Sequence, residues 1–504
     1  MNGHAYITTD AEATVCKANG HGTNHVISKP TDHVTMAAPP GPGGPPIIGQ
    51  AFNLDTDHLH LQFMEWQKRF GDLFMFKVLG KNFLVISHPD ILRRMFVTCE
   101  HAKRFNDRPA SFMGKYVIDK TKDIVFRKCD DEQQILKNAC LEYLEARLLE
   151  ETWFYTAVCQ EARDLVRDLT HLEGKNVDVI AVLDRLTVKI MGLLLTGERI
   201  SEAGPEFDSL QGFMHAGSEL GTVKNQTLLT KLPCLRKLPG NLKDLYDKIE
   251  LQKTRLRECF LANCKSDRGL IAMLRRLQAD QRQESEGEAW LEDDFILGII
   301  MDLTAAAIVP LQNTISVLFL VLVHHPEIQD RIRAESASLN ADVTINGVTN
   351  MPYSSACMLE LKRFHTPLPI SARHSNPSGA ATFEKYNIPK KTEIFSNLFG
   401  IHHDERFWTD PWTYNPERFL TATGQLVPSD HPAMTNLVAT GVGPRRCVGS
   451  KFSENVLHLV AATVVSHFRL TAGQDAPLPE CDPRKFVPGV VTKAPDFQCV
   501  FEPV

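Results

Sequence analysis

At 504 residues with 43% hydrophobic side chains, the chain can bury a sizeable core, which excludes a disordered protein. Its 55 Lys and Arg nearly balance its 61 Asp and Glu, for a formal net charge of -6, so no global field selects nucleic acid as a partner. The 12 cysteines include no CxxC pair, which speaks against zinc spacings and a small disulfide framework and fits a reducing compartment.

Residues 1–38 are polar and rich in His, Thr and Asn, the composition of a poorly ordered arm. They hold no apolar run near the ~18 residues of a membrane-spanning helix and no secretory signal. Asp10 and Glu12, with no arginine before Arg69, also speak against a mitochondrial transit peptide. The stretch PPGPGGPPIIG, Pro39 to Gly49, fixes several φ angles and predicts a rigid hinge into the fold. FMFKVLG (74–80) and NFLVISH (82–88) read as a hairpin across a Gly-Lys turn.

From there to residue 335 helical periodicity dominates, with apolar residues at i, i+3, i+4 and i+7 in 141–151, 246–261 and 269–284. Leu291 to Leu339 reads as a long helix buried all round in its middle, then a break at Pro326 and another helix. Beyond residue 370, Pro, Gly, Asn and His become frequent and short strands such as EIFSNL (393–398) appear. The last clear helix starts after Gly449. The expected fold is one large, predominantly α domain with a small β part, spanning 39–504.

The loop ATGVGPRRC delivers Cys447 immediately before an apolar-periodic helix. The partial positive charge and free N–H groups of a helix start favour a thiolate, and Arg445 and Arg446 add cationic bias, so this sulfur is suited to bind iron. Gly441, Gly443 and Gly449 allow the backbone to pass close to a flat macrocycle and to donate N–H bonds to sulfur. Taken alone, a cysteine before a helix is more often a small buried hydrophobe.

Gly443, Arg445, Cys447 and Gly449 form G-x-R-x-C-x-G, which resembles the haem-binding loop of the cytochrome P450 family. Glu360 and Arg363 in MLELKRFH match the family's E-x-x-R, whose i,i+3 spacing puts both on one helical face. YNPERF (414–419) resembles its meander motif, and the resemblance implies that Arg418 completes a buried cluster with Glu360 and Arg363. PPGP (39–42) and RFNDRP (104–109) extend the resemblance over about 39–504. LFGIHHDERFWTDPWTYNPERFL looks most like the animal microsomal branch, which includes steroid hydroxylases and xenobiotic-metabolising enzymes.

The resemblance implies the cytochrome P450 fold, with haem b (iron protoporphyrin IX) between a long distal helix and the proximal cysteine loop, and Cys447 as axial iron ligand. Arg445, His374 and Lys137 match the positions that hold the propionates. Gly443 and Gly449 belong to the loop, and Ala306 and Ala307 to the distal side. The family usually has a Trp and an Arg where this chain has Gln133 and Lys137, so one propionate contact is expected to be weaker or water-mediated.

Two motifs depart from the pattern. The family's oxygen-activation motif, A/G-G-x-D/E-T, falls on Ala306-Ala307-Ile308-Val309-Pro310, so both the acid and the alcohol that relay protons are missing and the catalytic positions are occupied by Val309 and Pro310. Pro310 also leaves the Ala306 carbonyl without its helical partner, at a cost of ~3 kcal/mol in an ordinary helix interior. Thr440 stands where the family usually has Phe, which changes the shield around the sulfur.

The implied activity is an oxygen-dependent monooxygenase hydroxylating a lipophilic small molecule, sterol-like or xenobiotic, with NADPH and O2 used through a flavoprotein NADPH-P450 reductase. Protons would then come from water at the Ala306 carbonyl, from Thr304 or Gln312, or from the substrate; Thr304 and Gln312 read more readily as structural. Because of Val309 and Pro310 two alternatives stay open: an isomerase or dehydratase acting on peroxides without oxygen activation, and a low-turnover haem-binding protein. Candidate pocket residues are Phe112, Tyr116 and Ile118 with Ala306, Ala307 and Val309, although ordinary packing fits the three loop residues equally. The family's microsomal members sit in the endoplasmic reticulum membrane. Without their N-terminal anchor, a cytosolic or peripherally attached protein is expected.

Overall fold

A backbone hydrogen-bond ladder pairs the first two strands of the computed structural model, which describes residues 36–150, 152–284, 290–337 and 344–504. Strand β1 (Leu73–Val78) runs antiparallel to β2 (Lys81–Ile86) with Leu73 opposite Ile86. The turn is not Gly-Lys as expected. Lys81 already pairs with Val78, and the loop is Leu79-Gly80, both left-handed at φ 47° and 78°, the two-residue geometry that matches the twist of the flanking strands. The hinge lies along this hairpin: the Met75 N–H donates to the Pro40 carbonyl at 2.8 Å, and a side chain at Gly41 would meet the Met75 carbonyl at 1.8 Å.

Further strands are β3 (Val177–Asp178), β4 (His374–Ser375), β5 (Ala381–Phe383), β6 (Tyr386–Ile388), β7 (Glu393–Ser396), β8 (Phe468–Ala472) and β9 (Gln498–Pro503). They form a sheet of order β1-β2-β7-β4, a sheet of order β3-β9-β8, and the hairpin β5-β6. Among the described strands only the β2-β7 pairing is parallel, and antiparallel β4 puts His374 at the edge of the first sheet.

Helices make up most of the rest. The periodic stretch at 141–151 begins in the last residues of a helix, Asp131–Glu142, whose N-cap Asp130 accepts the Gln133 N–H at 2.9 Å, and it reaches a short helix at Leu148–Glu150. Between the two the chain widens into a π-type turn, Tyr143–Arg147. The stretch at 246–261 likewise runs as Asn241–Arg257 and then a π turn, Glu258–Ala262, whereas 269–284 is one helix, Gly269–Glu284.

The central helix, Asp293–His324, is followed by a second, Pro326–Ala337, with the break at His325 as the proline requires. Pro310 sits inside the central helix without ending it. This helix packs against Val179–Thr196 and against the C-terminal helix Ser450–His467, and the core surrounds it. Among the described residues it alone is long and apolar enough to cross a membrane, and it is the core helix of the fold. All described cysteines are free. Residues 37–504 form one compact unit; most of the polar arm expected over 1–38 lies outside the described residues.

Candidate functional site

The cysteine loop is a tight coil held by its own backbone. The Cys447 N–H donates to the Thr440 carbonyl at 2.8 Å and the Arg446 N–H to the Gly443 carbonyl at 3.0 Å. Gly443 has φ +68° and lies so close to the neighbouring chain that a side chain would stand 2.9 Å from the Phe96 carbonyl, so only glycine fits. At Gly449, which ends the loop and starts the Ser450–His467 helix, a Cβ would meet nothing within 4 Å. Cys447 lies deep among protein atoms, yet its side chain is open: it borders space inside the molecule and is not packed into the core. Burial raises the thiol's pKa, while the Gly449 N–H, Lys362, Lys137 and Arg446 pull it down.

A second open surface lies in the central helix. Between Phe295 and Leu322 only Ala305 and Ala306 are exposed, with Ala307, Val309 and Pro310 half-buried, in a helix otherwise packed all round. Five small or apolar residues thus form one polar-free wall. The neighbouring polar side chains do not serve it. The Thr304 hydroxyl donates to the Ile300 carbonyl at 2.7 Å, and Gln312 Nε2 reaches the Ile180 carbonyl at 3.3 Å, on the Val179–Thr196 helix. Pro310 has no N–H for the Ala306 carbonyl, and its own carbonyl accepts the Thr314 hydroxyl at 2.6 Å. One turn before Ala306, buried Asp302 accepts the N–H groups of Ile124 and Val125, both at 3.0 Å, and so ties the 118–128 loop to the helix.

Beside these surfaces, four basic groups converge. Arg445 donates Nε to the Asn106 carbonyl and Nη1 to the Ile124 carbonyl, each at 3.0 Å, and Nη2 to the Arg127 carbonyl. Arg108 donates to the carbonyls of Val125, Ala372 and Arg373. Lys137 is buried, and His374 packs its ring 4.3 Å from that of Phe96 with Nδ1 buried and unpartnered. Burial and then the Arg445 charge push Arg108 down to about 9, and burial followed by Arg446 and Arg445 pushes Lys137 down to about 8. Burial, Arg108 and Arg445 hold His374 well below its ordinary value. Among the described residues none of Arg108, Lys137 and Arg445 forms an ion pair. Mutually repelling cations with an orphaned imidazole nitrogen suit a ligand carrying two carboxylates, as haem b does.

Behind the loop, the Glu360 carboxylate takes Arg363 Nη2 and Nε at 2.7 Å, with both side chains fully buried, and Arg418 Nε at 3.4 Å. The residues of two motifs, E-x-x-R and YNPERF, are therefore brought together from two separate segments. The family model for cytochrome P450 matches residues 39–501. The chain belongs to the cytochrome P450 family.

Among relatives of this P450, the steroid 17-alpha-hydroxylase/17,20 lyase of Ictalurus punctatus is 24% identical over 88% of this chain and 87% of the relative. That of Gallus gallus is 26% identical over 90% and 89%. The trans-cinnamate 4-monooxygenase of Sorghum bicolor is 26% identical over 87% and 88%. As a P450, the protein takes haem b as cofactor and is a monooxygenase of lipophilic molecules that draws on NADPH and O2 through a redox partner.

Not every expected site residue meets the open surfaces. Phe112 and Ile118 are packed shut, and Tyr116 lies against Phe112 on one side and beneath the Arg236 guanidinium, 4.0 Å from its ring centre, on the other. Gln133 is buried with Nε2 on the Ile124 carbonyl at 2.9 Å, so it braces the 118–128 loop. Arg108, Lys362 and Ala305 escaped the sequence reading. Arg108 lies in the quoted RFNDRP and Lys362 inside the E-x-x-R tetrad, but neither motif says where the side chain points.

Proposed function

We propose that Cys447 would supply the thiolate that holds the haem iron and that residues 39–504 are the haem domain of a monooxygenase acting on a rigid lipophilic substrate of sterol size. One observation carries this reading: an open cysteine at a helix start in a buried interior, with Gly449 N–H, Lys362, Lys137 and Arg446 disposed to favour its thiolate. Arg445, Arg108, His374 and Lys137 would hold the propionates, and the bare surface at Gly449 leaves room for a flat ring. When bound, haem b supplies the iron at which O2 is activated.

The chain's residues do the rest. Ala305, Ala306, Ala307 and Val309 present a wall of apolar side chains, which suits a steroid-like skeleton; the names of the two steroid hydroxylases among the relatives support that substrate class. With Val309 and Pro310 unable to move protons and Thr304 and Gln312 engaged elsewhere, the Ala306 carbonyl freed by Pro310 is the group left to hold a proton-bearing water or a substrate hydroxyl. Electrons come from a flavoprotein reductase.

The same Val309-Pro310 pair favours a second reading, in which a peroxide is rearranged or dehydrated without reductase. Turnover of a steroid and xenobiotic panel with reductase, NADPH and O2, against the same panel with organic hydroperoxides alone, separates the two. Hydroxylated product in the NADPH arm is expected; product confined to the peroxide arm would sink the oxygen-dependent route.

A further inference from the structure

His402 is fully buried in LFGIH, Leu398–His402, and every polar atom of the residue that can accept or donate towards the site is engaged. Its carbonyl accepts Arg363 Nη1 at 2.9 Å. Its Nδ1 is 2.9 Å from the Thr366 hydroxyl, and its Nε2 accepts the Val438 N–H at 3.1 Å. The tautomer follows from these contacts. The single Thr366 hydroxyl proton goes to the Arg363 carbonyl, 2.7 Å away, because a carbonyl can only accept. Towards His402 the hydroxyl oxygen therefore accepts, so Nδ1 carries the proton. Nε2 must then be the bare nitrogen, which is what the Val438 N–H requires. One tautomer alone satisfies all three partners.

Val438 opens the cysteine loop. It is buried, its carbonyl accepts the Gly441 N–H at 2.9 Å, and two residues on the Thr440 carbonyl takes the Cys447 N–H at 2.8 Å. A short chain of hydrogen bonds thus runs from the buried Glu360–Arg363 pair through Thr366 and the His402 ring to the entry of the loop, and from there through backbone bonds to Cys447. A ring pinned at both nitrogens and at its own carbonyl has no rotamer freedom to lend the loop.

We propose that His402 is a positioning residue: in its Nδ1–H tautomer it transmits the rigidity of the Glu360–Arg363 pair to the loop that carries Cys447, and so fixes the place of the sulfur. Its link to the iron rests on Cys447 being the axial ligand; its effect on the loop does not.

The test compares His402→Leu, which removes both ring contacts, with His402→Gln, whose amide oxygen can reach the Val438 N–H, and with Thr366→Val, which removes the hydroxyl that fixes the tautomer. Amide hydrogen exchange is followed in the full-length protein for segment 438–447 and for the helix Pro352–His365. In His402→Leu, segment 438–447 is expected to exchange at least tenfold faster while the helix keeps its protection, with a smaller change in Thr366→Val and near-normal protection in His402→Gln. In haem-loaded samples the thiolate-type Soret band of the reduced carbon monoxide complex is expected to decay at least tenfold faster in His402→Leu and to be restored in His402→Gln. Unchanged exchange at 438–447, or equal loss of protection in loop and helix, would overturn the proposal. If His402→Leu fails to fold, Thr366→Val and His402→Gln decide the matter by the same readouts. A loop that loosens as stated while the Soret band is absent from the unmutated protein would leave the positioning role intact and count against the iron ligand instead.

Discussion

Arg363 has no exposed surface, and its guanidinium reaches two carboxylate oxygens and the carbonyls of His402, Pro411 and Thr413. Truncating it leaves the Glu360 charge buried with only the more distant Arg418 and the Asn415 N–H for company. Breaking a buried pair in this way costs about 3–5 kcal/mol, so Arg363→Ala is expected to lower the urea midpoint sharply in a denaturation series. Lys137 is a milder case. Its ammonium is one of four groups in the basic cluster, and a charge-assisted hydrogen bond to a carboxylate contributes about 1.5–3 kcal/mol. Lys137→Met should therefore release haem about tenfold or more faster to an apoprotein acceptor. At this scale the sequence was informative where a short spacing carried the chemistry, as for Glu360 with Arg363. Arg108 was not legible, because its partners at Ala372 and Arg373 and its neighbour Arg445 lie hundreds of residues away and meet it only through the fold.

At the scale of elements, the central helix was readable because it is apolar all round, and its end because Pro326 cannot continue it. The wall formed by Ala305 and Ala306 was only half readable. Small apolar residues look alike in sequence whether they pack or face space, and only exposure separates them. The π turn inside the periodic stretch 141–151 is not legible, because it preserves an apolar periodicity while breaking the α-helical ladder. Pro310 gives the clearest prediction here. Pro310→Ala returns an N–H to the Ala306 carbonyl and removes the ring clash, so thermal stability should rise, by no more than the ~3 kcal/mol that separates the two residues in a helix interior. The yield of product per NADPH should fall in that variant, because the carbonyl is no longer free to hold water. The double change Val309→Asp with Pro310→Thr, which supplies an acid and an alcohol, is expected to raise that yield.

Across the whole molecule, several histidines are buried and neutral. Burial pushes His60, His365 and His458 down to about 4 and His402 to about 3. In the unfolded chain such rings take up protons near pH ~6.5, so between that value and about 4 the unfolded state binds protons the folded state refuses. Their contribution to stability is complete above pH ~6.5 and is lost as the pH falls. Asp123, raised to about 6 by burial, acts in the opposite sense: it favours the fold below its unfolded value and loses that contribution as the pH rises through about 6. With the histidines in the majority, the urea midpoint of the holoprotein should fall between pH 7.5 and pH 4.5, and a rise would contradict the neutral assignment.

The sequence anticipated this helical domain with its small sheets, since composition and hydrophobic period are global properties. What it could not anticipate is that Cys447 keeps an open side chain, as Ala305 and Ala306 do. The reduced carbon monoxide difference spectrum of the purified, haem-loaded protein and of Cys447→Ala tests that point most directly. A thiolate-type Soret band that disappears in Cys447→Ala is expected, and either its absence from the unmutated protein or its survival in the variant would contradict Cys447 as the iron ligand.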